Sequence, residues 1–167
     1  MQSRSMSKAA RLAVLGFVAG CIAACGGGAS SSPPVSTAPT PLASDVERTT
    51  FAPSLGVYLE RMSRRPSGLY VQDLATGTGA VVTRGRTAVV RYTGWLPNGE
   101  EIDSGEISVS VGSRQTIAAW EEALLGMRAG GKRRIVTPPN LAYGSRGAGK
   151  IPPNAVLVFE MEVTDVE

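Results

Sequence analysis

The sequence predicts an α+β domain in which an antiparallel sheet wraps over one helix, and three observations carry that reading. Short segments rich in β-branched and aromatic residues recur beyond residue 67, separated by Gly- and Pro-containing turns. Only one stretch inside that region, Thr116–Met127, has apolar residues at helical spacing. The last segment alternates cleanly, with Phe159, Met161 and Val163 interleaved with Glu160, Glu162 and Thr164, the pattern of a strand wet on one face.

Taken in order, "GLYVQDL" (68–74) is the first expected strand and "ATGTG" the turn after it. "TAVVRYTGWL" (87–96) is the second, closed by the turn residues Pro97, Asn98 and Gly99. "EISVSVG" (106–112) alternates with period two and is the third. In the helix Ile117, Trp120 and Leu124 share a face, and Gly126 or Gly130 stops it. "KRRIVTP" (132–138) and "AVLVFEMEVTDV" (155–166) complete the sheet, with a Gly/Pro loop over 139–153 between them. Ahead of the sheet, Leu55, Tyr58, Leu59 and Met62 predict a short amphipathic helix within a lead-in over 46–66.

The first 45 residues are of a different kind. Residues 1–11 are polar and basic, and an uncharged apolar run follows from Leu12 to Ala24. That is the layout of a secretory signal peptide, and the run is shorter than the ~20 apolar residues a membrane-spanning helix needs. It ends in small residues before cysteine twice, "VAGC" at Val18–Cys21 and "IAAC" at Ile22–Cys25. Both resemble the bacterial lipobox, whose cysteine is lipidated after cleavage. Cys25 is preferred because it gives the longer apolar run and is followed at once by "GGGASSS"; Cys21 is the alternative, and an ordinary cleaved signal with a spare thiol is the plain one. Residues 1–24 are thus read as a lipoprotein signal and 25–45 as a Gly/Ser/Pro-rich tether, leaving 67–167 as the folded domain. The expected location is the bacterial cell envelope, lipid-anchored. The absence of aspartate after either cysteine leans towards the outer membrane on its periplasmic side in a Gram-negative source.

Charge and composition exclude several chemistries. Three of the 17 basic residues, Arg4, Lys8 and Arg11, lie in the signal, leaving 14 against 14 acidic ones in the mature chain. No nucleic-acid footprint is expected from so balanced a chain, and Lys132, Arg133 and Arg134 are read as a solvated strand face. There is no histidine, and both cysteines lie in the signal region. A Ser-His or Cys-His nucleophile pair and a Cys/His zinc site are therefore ruled out, and neither cofactor nor metal is expected. Gly126-x4-Gly131-Lys132 has the spacing of a phosphate-binding loop, but Arg133 follows where Ser or Thr is needed, and it runs from helix to strand. The pairs Glu100–Glu101 and Glu121–Glu122 are adjacent in sequence, cannot face each other across a substrate, and are read as surface charge.

From Ser67 to Val166 the chain carries "SGLYVQDLATGTGA", "VVRYTGWLPNGEEIDS", "VGSRQTIAAWEEALLGMRAGGKRRIVTPPNLAYG" and "IPPNAVLVFEMEV". In this order these motifs resemble the FKBP family of peptidyl-prolyl cis-trans isomerases. The resemblance implies a strongly twisted antiparallel sheet over one short α-helix and a reaction that breaks no bond. Rotation about a peptide bond is opposed by ~18–20 kcal/mol of amide resonance, so Xaa-Pro exchange alone takes roughly tens to hundreds of seconds. A dry apolar pocket and well-placed donors suffice to favour the twisted amide, without nucleophile, metal or histidine.

By position, the resemblance implies Trp120 as the floor under the proline ring, with Tyr92 and Phe159 as walls. Ile117 and Ile151 complete the lining, and Ile117 offers its backbone N–H to the bound chain. Tyr143 turns its hydroxyl towards a substrate carbonyl, and Asp103 lies at the pocket edge, hydrogen-bonded by Tyr92. Spacing alone favours plain core positions for Trp120, Phe159 and Ile117, a loop role for Tyr143 and a turn cap for Asp103; their joint order favours a pocket. The chain departs from the family pattern at Ile102, where phenylalanine is common, and at Thr116, where an aliphatic residue is usual. Its segment Ser104–Val109 is short, so a second aromatic wall is missing with Ile107 or Val109 nearest, and the loop Ser145–Lys150 is short as well. These departures bear on affinity more than on reaction. The implied partners are Xaa-Pro-containing exported polypeptides, macrolide inhibitors and the membrane through a lipid anchor, with the protein a monomer. A chaperone- or adhesin-like module that grips proline-containing segments with little catalysis is the alternative.

Overall fold

The computed structural model describes residues 45–167; the expected signal peptide, both cysteines and the expected tether up to Ser44 lie outside the described residues. Six strands, β1 (Ser63–Arg64), β2 (Tyr70–Ala75), β3 (Thr87–Trp95), β4 (Glu101–Ser110), β5 (Lys132–Thr137) and β6 (Leu157–Val166), form one antiparallel sheet in the order β1-β2-β5-β6-β3-β4. One α-helix, α1 (Ala118–Leu124), lies between β4 and β5 in the chain. Register shifts at Asp73/Ala75, Val89/Val90 and Gly94/Trp95 are the local irregularities that add twist to such a sheet.

Helix α1 is Ala-, Glu- and Leu-rich, a good helical composition. At seven residues it is too short to persist alone and depends on packing. Ala119, Trp120, Ala123 and Leu124 form its buried face, and they meet Val90, Val109, Ile135, Leu157, Phe159 and Met161 from the sheet. The helix ends at Leu124, and Gly126 then turns the chain with a φ of 79°, which only glycine adopts cheaply.

The lead-in differs from the expected amphipathic helix. Residues 46–66 contain two separate 3₁₀ turns, Pro53–Leu55 and Leu59–Arg61, and then β1. Pro53 starts the first turn, but Gly56 follows in the left-handed conformation (φ 57°) and ends it. The apolar residues nevertheless find burial. Val46, Leu55 and Met62 join Tyr70, Val136, Val156 and Val158 in a second cluster, with Phe51, Leu59 and Trp95 against it. Those sheet residues point away from α1, so the lead-in covers the outer face. Val158 is therefore buried although it alternates with the inward-facing Leu157 and Phe159.

The basic run also departs from a solvated face. Arg133 is only 7% exposed; its Nε donates to Asp73 Oδ1 at 2.6 Å and its guanidinium also bonds the Ala123 carbonyl at the end of α1. Arg134 pairs with Glu160 and donates to the Gly56 carbonyl at 2.6 Å. Lys132 reaches Glu162 at 3.9 Å. A strand between two packed layers exposes little surface, so these cations become ties between elements.

Candidate functional site

A cavity of about 800 Å³ opens between α1, the inner face of β3, β4 and β6, and the loop after β5. Its floor is Trp120, 4% exposed, which α1 presents to the sheet. Two aromatic rings stand edge-on to the indole. The Tyr92 centroid lies 4.8 Å away at 75°, and the Phe159 centroid 5.7 Å away at 87°. These are the edge-to-face geometries that aromatic quadrupoles favour.

The sheet register explains how the walls are placed. Gly94 on β3 pairs with Asp103 on β4 and with Phe159 on β6. A Cβ on Gly94 would come within 2.6 Å of the Phe159 ring and 3.3 Å of Ile102. The missing side chain is what lets the phenyl ring lie across β3. One row along, Tyr92 pairs with Gly105, and the phenol leans diagonally to Asp103. Its hydroxyl donates to Asp103 Oδ2 at 2.7 Å. That bond pushes the phenol up from 10.0 to about 12, with burial and the negative charge of Asp103 adding to it, and Tyr143 last. Tyr92 is thus held protonated, a fixed polar post at an otherwise apolar wall.

Ile102, Thr116, Ile117 and Ile151 also line the cavity, as does Tyr143, which is 40% exposed at the rim. Ile117 sits at the N-cap of α1, where helix geometry leaves its N–H without an intrahelical acceptor. Two polar groups of the lining, Trp120 Nε1–H and the Thr116 hydroxyl, are buried with no partner among the described residues. The cavity therefore brings together Tyr92, Asp103, Trp120, Tyr143 and Phe159 with the four expected lining residues. Of the two aliphatic residues nearest to the absent aromatic wall, Ile107 lines the cavity and is 37% exposed, whereas Val109 belongs to the core.

Sequence reasoning passed over three contributors. Gly94 was legible as a glycine inside a strand, a sign of close approach by a neighbour. Glu121 is more than surface charge: its carboxylate accepts the Gly112 N–H at 2.5 Å and the Arg114 N–H at 2.9 Å. It thereby holds the turn that leads into Gln115–Ala118, all of which line the cavity. Lys150, in the loop after Tyr143, lines the mouth as well, and no periodicity marks a loop residue in advance.

Residues 79–164 match the profile of FKBP_C, the FKBP-type peptidyl-prolyl cis-trans isomerase family. The FK506-binding protein of Neisseria meningitidis serogroup B is 41% identical over 105 residues, covering 59% of this chain and 96% of that protein. FK506-binding protein 4 of Chaetomium thermophilum is 39% identical over 119 residues, 69% of this chain and 23% of the longer relative. Among solved structures, AtFKBP13 superposes with a TM-score of 0.59 at 34% identity, over 62% of this chain and 97% of that one. FkpA from Escherichia coli superposes with a TM-score of 0.60 at 35% identity, over 65% and 52% respectively.

Proposed function

Because this chain belongs to the FKBP-type peptidyl-prolyl cis-trans isomerase family, we propose that the cavity over Trp120 is where it turns Xaa-Pro bonds in exported proteins. The observation that carries this reading is the edge-on arrangement of Tyr92 and Phe159 around the Trp120 floor, closed by Ile102, Ile117 and Ile151. A saturated five-membered ring needs apolar walls of this kind. A planar amide is more polar than a twisted one, so removal of water raises the ground state more than the transition state. The Ile117 N–H and the Tyr143 hydroxyl are the donors for the flanking carbonyls, and Thr116 lines the path of the chain. The Tyr92–Asp103 bond keeps one wall rigid, which costs no reorganisation when substrate enters.

The wider role follows from the N-terminal sequence. Lipidation at Cys25, or at Cys21, would hold the protein on a membrane of the cell envelope, with the outer membrane preferred, and 26–44 would space the domain from it. Clients are then unfolded chains newly delivered across the inner membrane. FK506-type macrolides are ligands of the same cavity, at reduced affinity because Ile107 replaces an aromatic wall.

The deciding experiment is two-dimensional exchange NMR on an Xaa-Pro peptide with the purified protein and its Trp120→Leu and Tyr143→Phe/Asp103→Val variants. Faster exchange that drops at least tenfold in Trp120→Leu and falls in the double variant supports the site. Undiminished exchange in the variants sinks it, and tight peptide binding without faster exchange favours a gripping module. For the anchor, a Cys25→Ser chain should leave the membrane fraction; retention there moves the anchor to Cys21.

A further inference from the structure

The rim of the cavity is electrically uneven. Its lining holds two charged residues, Asp103 on β4 and Lys150 on the loop between β5 and β6. Asp103 already accepts the Tyr92 hydroxyl, whereas Lys150 has neither an ion pair nor a hydrogen bond among the described residues. Nothing nearby in the chain supplies a counter-charge: from Ala123 to Phe159 there is no aspartate or glutamate, and the same loop adds Arg146. The backbone that carries Lys150 is also held in place. Ala148 and Ile151 exchange backbone hydrogen bonds of 3.0 and 2.8 Å, so Gly149 and Lys150 form the tip of a two-residue turn. Gly149 has a φ of 53°, which suits glycine in such a turn, and Ile151 beside it is itself part of the cavity wall.

A cation carried on an ordered turn at the mouth of an apolar cavity, with its charge unanswered, discriminates among what enters. We infer that Lys150 is a specificity-determining residue that favours client segments carrying a carboxylate within two residues of the proline. This rests on the reading of the cavity as the prolyl site. The selected chemistry is an acidic side chain flanking proline, entering from the 144–151 loop side, opposite the like charge of Asp103. The pair is solvent-exposed, so the preference is modest, about two- to five-fold, and it weakens with salt.

The test uses proline peptides with Glu or Lys placed singly at each of the two positions on either side of proline. Exchange rates and dissociation constants are read from the same NMR titrations. At about 10 mM ionic strength, where the Debye length is about 30 Å, the wild type should prefer Glu over Lys about two- to five-fold at one position at least. The preference should vanish or reverse in Lys150→Ala, invert in Lys150→Glu, survive in Lys150→Arg, and shrink near about 1 M salt, where screening acts within about 3 Å. A Glu/Lys ratio of one at every position overturns the inference, as does a ratio that persists in Lys150→Ala. If the peptides bind without faster exchange, the isomerase reading fails alone, and the ratios of dissociation constants decide the role of Lys150 by the same criterion. If no peptide binds, both fall.

Discussion

At Tyr92 the fold holds a proton that an unfolded chain gives up earlier. The phenol is raised from 10.0 to about 12, so between those values the folded state binds the extra proton and is favoured by it. The contribution is complete below pH ~10 and is lost as pH rises through ~12. Phenolate absorbance should show a tyrosine titrating late, and Asp103→Asn should bring that transition to lower pH. A titration curve unchanged by Asp103→Asn would contradict the bond. Gly94→Ala is the sharper steric test. With the Phe159 ring 2.6 Å from the added Cβ, overpacking should cost about 1–3 kcal/mol in urea denaturation and raise KM for a proline peptide. Trp120→Leu and Tyr143→Phe should separate in kind: the first removes the floor and some stability, the second removes only a donor. At this scale the aromatic residues were legible because family order names them. Gly94 was legible only as a glycine inside a strand, and Lys150 not at all, since their work depends on which atoms lie across the strand or at a loop tip.

Among the elements, the lead-in shows how periodicity can mark burial without marking conformation. Leu55 and Met62 are buried as their spacing suggests, yet Gly56 breaks the helix and Tyr58 ends up exposed beneath Arg61, whose guanidinium carbon lies 5.0 Å from the ring centroid. The segment follows the outer face of the sheet, which the alternation of β6 alone would have left wet. Met62→Ala should therefore destabilise the domain by about 2–4 kcal/mol in thermal or urea unfolding. Exchange activity measured well below the midpoint should be unaffected, because the cavity lies on the other face. A loss of activity in step with stability would mean that the two faces are coupled. The strands were the most readable elements, since β-branched runs and turn residues bound them closely. Only β4 extends beyond its expected start, to Glu101, because the hairpin with β3 imposes a partner on residues with little preference of their own.

For the whole molecule, antiparallel sheet over one helix was readable because each segment's pattern agreed with its neighbours, the consistency that marks a foldable sequence. Strand order was not readable from pattern, as it depends on long-range pairing. The order β1-β2-β5-β6-β3-β4 puts the last strand to be made between β5 and β3. Removing 157–167 should abolish the dispersed amide spectrum altogether, whereas removing 45–62 should weaken the fold and leave it recognisable by the same measurement. A folded product from the first deletion would refute this view of the sheet.

The central place of β6 also sets a clock. Until its ten residues, Leu157–Val166, are available, the β3–β4 hairpin and the β2–β5 pair are two fragments with nothing between them, each exposing a row of unpaired backbone groups. Neither half can close early. A polypeptide emerging from its N-terminus onward therefore stays threadable until its final residues are delivered, and then its two halves are joined in one step. Under the export proposed above, this order of assembly would keep the chain slack during passage across a membrane and tighten it on arrival.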